Sequence, residues 1–171
     1  MHEEWFDVVD EFDRVIGRET RREVHRLSLL HRAVHVLVFD RHGRLFLQKR
    51  SMAKDTWPGA WDSSASGHVD SGEAYDACAV RELGEELGWT PPMAPVRLFH
   101  IEACEETGRE FVWVYRCPGE GPFVLNAHEI ERGAWFTPAE IDAAIASRPE
   151  AHALSFRHLW ARAHTEGLVP G

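Results

Sequence analysis

Cysteine is scarce in this 171-residue chain, with Cys78, Cys104 and Cys117 making up the whole set. An odd count, at spacings that match neither a metal knuckle nor a redox pair, argues against a disulfide framework and fits a reducing compartment, so a cytoplasmic protein is expected. Basic residues are also short, 19 Lys and Arg against 28 Asp and Glu, for a net charge of −9. That deficit disfavours an extended nucleic-acid surface, which needs cations in excess. It still allows anionic phosphates to bind if a divalent cation stands between the two. Long apolar runs are missing too: "AVHVLVF" and "FVWVY" have the length of strands and cannot span a bilayer. The acidic opening "MHEEWFDVVDEF" does not read as a secretory signal. Repeats, low-complexity runs and linker-like stretches are absent. What is present is 44% hydrophobic residues, with seven Trp and nine Phe, enough for a real core. One domain over 1–171 is therefore the expectation.

Along the chain, "WFDVVDEFDRVIG" alternates and turns through Asp10–Asp13, the pattern of an opening hairpin. Residues 1–30 are expected to form this hairpin and a connecting segment, with 19–30 open between a short helix and a loop. "AVHVLVFD" (Ala33–Asp40) and "RLFLQKR" (Arg44–Arg50) read as a second hairpin around a Gly-containing turn. Alternation puts Leu45, Leu47 and Lys49 on one strand face and Phe46, Gln48 and Arg50 on the other. A helix is expected over Glu73–Leu87, stopped by Gly88 and barred from continuing by Pro91 and Pro92. "PVRLFHIEA" and "REFVWVYRC" form a further antiparallel pair around Thr107–Gly108, and "ERGAWF" is another short strand. Thr137 and Glu140 make a capping box, with Pro138 at the first helical position, for a helix running to about Ala146. A last helix is expected over about Ala151–Thr165 within the closing segment 150–171. Strands with helices packed on them make the class α+β.

The stretch "GHVDSGEAYDACAVRELGEELGW", Gly67–Trp89, holds Asp70, Glu73, Asp76, Glu82, Glu85 and Glu86 against the single basic residue Arg81. Glu82, Glu85 and Glu86 lie three and four apart, so all three converge on one helix face. Like charges at that spacing destabilise an isolated helix by roughly 0.2–0.5 kcal/mol per pair. Glu85 and Glu86 also meet the negative end of the helix dipole, and Gly84 in mid-helix costs about 1 kcal/mol relative to Ala. One explanation is a solvated acidic face, the usual fate of a charge run. The other is a hard-cation site that in turn holds a phosphate-bearing substrate.

Spacing decides between them. Gly67, five residues, Glu73, seven residues, then Arg81-Glu82-Leu83-Gly84-Glu85-Glu86-Leu87-Gly88-Trp89 is a complete Nudix box, apolar positions included. Seven fixed residues make a chance match on the order of one in 10⁸ per start position. The chain thus resembles the Nudix family. That resemblance implies an α/β/α sandwich with a mixed sheet, a loop–helix–loop catalytic box, and hydrolysis of a diphosphate linkage with Mg²⁺, or Mn²⁺ as a substitute. Carried over by position, it implies Glu82, Glu85 and Glu86 as metal ligands and catalytic groups, with the Gly67 carbonyl as a further ligand. It implies Glu73 and Arg81 as the pair that braces the site, eight residues apart on one helix. An acid outside the box often serves as base in the family, for which Glu129 in "HEIERGAWF" is the first choice and Glu110 the second. Lys49 and Arg50 stand where relatives keep a phosphate-binding Arg, although alternation lets only one of them face the site.

A second likeness reaches beyond the box. "LFLQKRS…DTWPGAWDSSASGH", together with His25 and His31, is similar to isopentenyl diphosphate isomerases, and the likeness covers roughly residues 3–147. Those isomerases use a Cys just before the Gly-His pair, where this chain has Ser66. A hydroxyl has far too high a pKa to stand in readily for a thiol in that proton transfer. The isomerases also carry a degraded box, whereas this one is intact, so hydrolase is the first reading and isomerase the alternative. The isomerases bind a metal through histidines near positions 25, 31 and 68 with help from acids around Glu110. This implies a second cation site here, set against ordinary hydrogen-bonded or surface histidines, His35 among them. A catalytically silent nucleotide-binding module is disfavoured because no box glutamate is lost, and an RNA-decapping role because nothing basic marks an RNA path. The expected partner is a small diphosphate, a nucleoside di- or triphosphate first, with no membrane or extended nucleic acid. Trp57, Trp61, Phe99 and Trp113 are candidates for stacking on a base, though such aromatics more often sit in a core.

Overall fold

The structure, a computed structural model, describes residues 3–170. The opening hairpin forms as the alternation suggests: β1 (Trp5–Val9) and β2 (Val15–Thr20) pair antiparallel. Asp10 shapes the turn, its Oδ1 accepting from the Phe12 and Arg14 N–H groups at 2.9 and 3.0 Å. The segment left open between helix and loop contains helix α1 (Arg21–Arg26), capped by Thr20 Oγ1 on the Glu23 N–H.

The main sheet has seven strands among the described residues. These are β3 (His31–Phe39), β4 (Leu45–Arg50), β5 (Trp61–Asp62), β6 (Ala65–His68), β7 (Val96–Ile101), β8 (Glu110–Pro118) and β9 (Ile130–Phe136). The order is β5-β4-β3-β8-β7, with β6 also on β3 and β9 also on β4. β3 and β8 run parallel, His31 opposite Glu110, while the other pairs are antiparallel, so the sheet is mixed. The expected β3–β4 hairpin exists only at its tip, Phe39 opposite Leu45. Beyond that point β6 takes the edge of β3 from Ala33 to Val36, and β4 turns its backbone to β9 and β5 instead. A two-strand sequence pattern cannot reveal such a fork, because the inserted strand lies further along the chain.

Three longer helices complete the fold: α2 (Tyr75–Leu87), α3 (Pro138–Ser147) and α4 (Leu154–Thr165). Period-two alternation sorts them onto two faces of the sheet. Leu37, Leu45 and Leu47 pack with Ile141, Phe156, Leu159 and Trp160 of α3 and α4. Val34, Val36, Val38 and Phe46 pack with Cys78, Ala79, Leu83 and Leu87 of α2. Each fully buried Leu or Phe contributes about 1.5–3 kcal/mol. The result is the α/β/α sandwich of an α+β protein. The Thr137–Glu140 capping box is present in both directions. The last helix starts later than expected, because a 3₁₀ turn at Pro149–Ala151 and extended backbone at His152 precede Leu154.

α2 also starts later, at Tyr75 with Ala74 as its cap, and Gly88 ends it in a left-handed conformation at φ 57°. Glu73 therefore lies in the preceding turn, where its Oε2 accepts from the Asp70 N–H at 3.0 Å. The N-terminal hairpin folds over this region: Phe6 bridges to Asp70 and is buried with Val8 and Val24. Among the described residues no helix is long and apolar enough to cross a membrane.

Candidate active site

The apolar stripe of α2 sits on the sheet, which turns Glu82 and Glu86 inward and leaves Glu85 exposed at the end of the same face. β6 runs directly beneath. A Cβ on Gly67 would stand 2.0 Å from Glu82 Oε1 and 2.1 Å from its Cδ, so only glycine lets the strand pass under the carboxylate. Glu86 Oε2 accepts from Gln48 Nε2 at 2.7 Å and from the Ser66 N–H at 3.1 Å. The sequence marks Ser66 only as the residue in place of the isomerase thiol, and alternation places Gln48 only on the strand face it shares with Phe46 and Arg50; their hydrogen bonds to Glu86 come from the fold.

Burial dominates the electrostatics. It pushes the Glu82 carboxyl up to about 8, helped by the neighbouring Glu86 charge and opposed by Arg81. It pushes Glu86 up to about 7 against the opposing hydrogen bonds from Ser66 and Gln48. Arg81 spans the whole cluster. Its Nε and Nη2 donate to the two oxygens of Glu73 at 2.8 and 2.9 Å, Nη2 also to the His68 carbonyl at 2.9 Å. Its Nη1 reaches Glu82 at 2.7 Å and Glu85 at 3.1 Å. The Glu73 hydrogen bonds hold its guanidinium firmly protonated. The brace is thus a turn-to-helix contact rather than a pair along one helix. Asp76 is engaged elsewhere, with Arg97 Nε at 2.7 Å and the Tyr115 hydroxyl at 2.6 Å.

These acids open on a cavity of about 630 Å³ whose walls include Gly67, Glu82, Glu85, Glu86, Arg50 and Glu129. Arg50 is held there by Asp62 Oδ2 at 3.2 Å and by the Thr56 carbonyl at 3.0 Å. Lys49 is not part of this wall; it lies on the opposite strand face and pairs with Glu131 at 3.2 Å. Alternation allowed one of the two cations to face the site, and the structure selects Arg50. Glu129 pairs with Lys54, which also lines the cavity. Glu110 lies deeper in the same cavity, with Oε1 2.9 Å from His68 Nε2 and 3.5 Å from His31 Nε2. Burial alone would raise its pKa, but those two rings hold it well below the usual carboxylate range.

His25, His31 and His68 each present a ring nitrogen within 4.8 Å of the others. The Leu29 carbonyl accepts from His31 Nδ1 at 2.9 Å, which fixes the proton on that nitrogen. His31 Nε2 is left buried without a hydrogen-bond partner. His25 is held neutral near pH 7, its pKa lowered to about 4 by burial and by the adjacent His68 and His31. His35 stands apart, with Nδ1 2.6 Å from Ser63 Oγ. Phe6 of the hairpin stacks on His68 at 4.7 Å, so an element 60 residues upstream in the chain closes this end of the cavity.

A mixed sheet between helix layers carries clustered acid on a loop–helix–loop above this cavity. Comparison with known proteins gives the family. The model of the NUDIX domain matches residues 29–159. An uncharacterized Nudix hydrolase of Yersinia pestis is 40% identical over 141 residues, covering 82% of this chain and 76% of its own length. An isopentenyl-diphosphate Delta-isomerase of Nocardia farcinica is 35% identical over 151 residues, covering 85% and 86%. The crystal structure of DR0079 from Deinococcus radiodurans matches with a TM-score of 0.84 at 30% identity, over 93% of this chain and 98% of that one. The chain belongs to the Nudix hydrolase family, in the group whose relatives include isopentenyl-diphosphate isomerases.

Proposed function

We propose that this protein is a single-domain, cytoplasmic Nudix enzyme that hydrolyses a diphosphate linkage in a small phosphorylated metabolite. A nucleoside di- or triphosphate is the first candidate. The observation that carries the reading is the placement of Glu82, Glu85 and Glu86 on one helix face, above a glycine strand, at the wall of a cavity that also presents Arg50 and Lys54. Two of those carboxylates are buried with too little positive charge nearby, which is the donor set and the charge deficit that a hard divalent cation answers. Glu82, Glu85, Glu86 and the Gly67 carbonyl would hold Mg²⁺, with Mn²⁺ as a substitute. When bound, that ion neutralises charge developing on the diphosphate oxygens.

The chain's own groups account for the remaining steps. Arg50, fixed by Asp62 and Thr56, binds and orients a phosphate. Water attacks one phosphorus in line with the bridging oxygen, that P–O bond breaks, and the bridging oxygen leaves with the electron pair. Glu129 accepts the water proton once the anionic substrate draws Lys54 away from it. Ser66 offers no thiol for the proton transfer of the isomerases, and its N–H is already spent on Glu86. Screening nucleoside di- and triphosphates, nucleotide sugars and isopentenyl diphosphate for Mg²⁺-dependent release of phosphate or pyrophosphate tests the reading. Release from at least one compound is expected; silence on all of them, with isopentenyl diphosphate rearranged, would overturn it.

The raised carboxyl pKa values set a pH dependence. Protonated Glu82 and Glu86 favour the fold, so without metal their contribution is complete below the ordinary glutamate value of 4.5. It is lost as pH rises through about 7 and about 8. A cation needs the ionised forms, so its stabilising effect runs the other way. The stabilisation on adding Mg²⁺, read as a rise in melting temperature, should grow from about pH 6 to about pH 8.5, toward about 2.7 kcal/mol at a hundredfold excess over Kd. An equal rise at every pH would refute the assignment of these two acids.

The histidine cluster supports a second cation site, because a buried, unpartnered Nε2 beside two further ring nitrogens and Glu110 is a donor set without an acceptor. Metal analysis of protein purified without added divalent ions should find zinc or manganese, and His31→Ala should lose it. Metal-free wild-type protein would remove this site.

A further inference from the structure

Of the four aromatics that could stack on a base, the structure disposes of three. Phe99 is buried in the core, Trp61 packs edge-on against Phe136 at 5.1 Å, and Trp113 lies against His100 with Arg97 over its ring. Trp57 alone among them lines the cavity, and its side chain is 40% exposed.

Its backbone is unusual. Trp57 has φ 49°, a left-handed conformation that a bulky residue adopts only where its surroundings impose it, and Pro58 disfavours helical backbone at the residue before it. The imposing contacts are visible: the Ala60 N–H donates to the Trp57 carbonyl at 3.2 Å, and Arg50 donates to both the carbonyl and the hydroxyl of Thr56. The same turn therefore fixes the phosphate-facing guanidinium of Arg50 and the indole next to it. α4 brings the Arg157 guanidinium to 5.8 Å from the Trp57 ring centroid. Arg157 Nε is buried without a hydrogen-bond partner, so its contact with the ring is what locates it. The indole thus has a cation by its ring, lines the cavity and is partly exposed.

We infer that Trp57, backed by Arg157, is the specificity-determining platform on which the nucleobase of a nucleoside diphosphate stacks while Arg50 takes its phosphate. The inference rests on the nucleotide reading above. A flat apolar ring beside a phosphate-binding cation suits a base, whose own flat face stacks on an aromatic in any sequence context. A base-free diphosphate gains nothing from it. A branched isoprenoid tail would need apolar bulk rather than planarity, and this difference makes the two ligand classes separable.

The test is calorimetric binding with Mg²⁺, so it does not depend on turnover. The ligands are a non-hydrolysable α,β-methylene nucleoside diphosphate and base-free methylenediphosphonate; the proteins are wild type, Trp57→Phe and Trp57→Leu. Wild type should prefer the nucleotide, Trp57→Phe should keep most of that preference, and Trp57→Leu should lose about tenfold of it, since leucine supplies apolar bulk without a plane. No preference in wild type, or the same preference in Trp57→Leu, would overturn the proposal. Loss of hydrolysis in the product screen with this preference intact would remove the hydrolase reading and leave the platform standing.

Discussion

Glu86→Gln is expected to lower Mg²⁺-dependent diphosphate turnover by about 10³-fold, on the order of 4 kcal/mol of transition-state stabilisation, while the protein stays folded. The loss follows from removing a charge at the centre of the cation site. The retained fold follows from the hydrogen bonds. Both donors to Glu86, Gln48 Nε2 and the Ser66 N–H, reach the same oxygen, and an amide carbonyl in that place can accept both. Stability should even increase. Ionised Glu86 is strained by burial, with its pKa raised from 4.5 to about 7, a shift equivalent to about 3 kcal/mol at full ionisation. In chelator, the melting temperature of the variant should therefore exceed that of wild type near pH 8, with the gap closing as pH falls through 7 toward 4.5. A variant that is less stable than wild type near pH 8, or nearly as active, would contradict the role assigned to this side chain.

Gly67→Ala should be nearly as damaging for a steric reason. The added methyl would stand 2.0 Å from Glu82 Oε1, the oxygen that Arg81 Nη1 holds at 2.7 Å. Glu82 must leave its place, so turnover should drop by at least about 10²-fold and stability by about 1–3 kcal/mol. Gly84→Ala provides the contrast within the same motif. Nothing stands within 4 Å of the Cβ position there, and nothing in the structure explains the glycine. That variant should gain about 0.5–1 kcal/mol from helix propensity and remain active. Thermal unfolding and initial rates on the three proteins check both expectations; equal effects at Gly67 and Gly84 would remove the close approach of β6 to Glu82 as the explanation.

The parts of this site that were legible in the sequence are those written in fixed spacing. The shared face of the α2 carboxylates and the Gly88 stop follow from local periodicity and helix-end chemistry, the Arg81 brace follows from the resemblance to the family, and the structure places these residues together. Strand alternation likewise sorted Gln48 and Arg50 from Lys49. What escaped depends on contacts between distant segments. The sequence pattern starts α2 two residues early because Glu73 is a good helix former, yet its side chain accepts from the Asp70 N–H and Arg81 in a turn. The β3–β4 hairpin was overextended because β6, inserted from further along the chain, takes the edge that the pattern assigned to β4. The meeting of His25, His31 and His68 with Glu110 joins a helix, two strands and a parallel neighbour; no local signal encodes it, and only the likeness to the isomerases points to it in the sequence. Trp57 was one of four equal candidates until the backbone of its turn and Arg157 distinguished it.

Whether water is the nucleophile can be measured directly by mass spectrometry of products formed with Mg²⁺ in ¹⁸O-labelled water, from nucleoside di- and triphosphates and from isopentenyl diphosphate. The expected result is one labelled oxygen per cleaved linkage in the nucleotide products, formed about 10³-fold more slowly with Glu86→Gln. Unlabelled, uncleaved nucleotides alongside rearranged isopentenyl diphosphate would contradict hydrolysis as the reaction of this site.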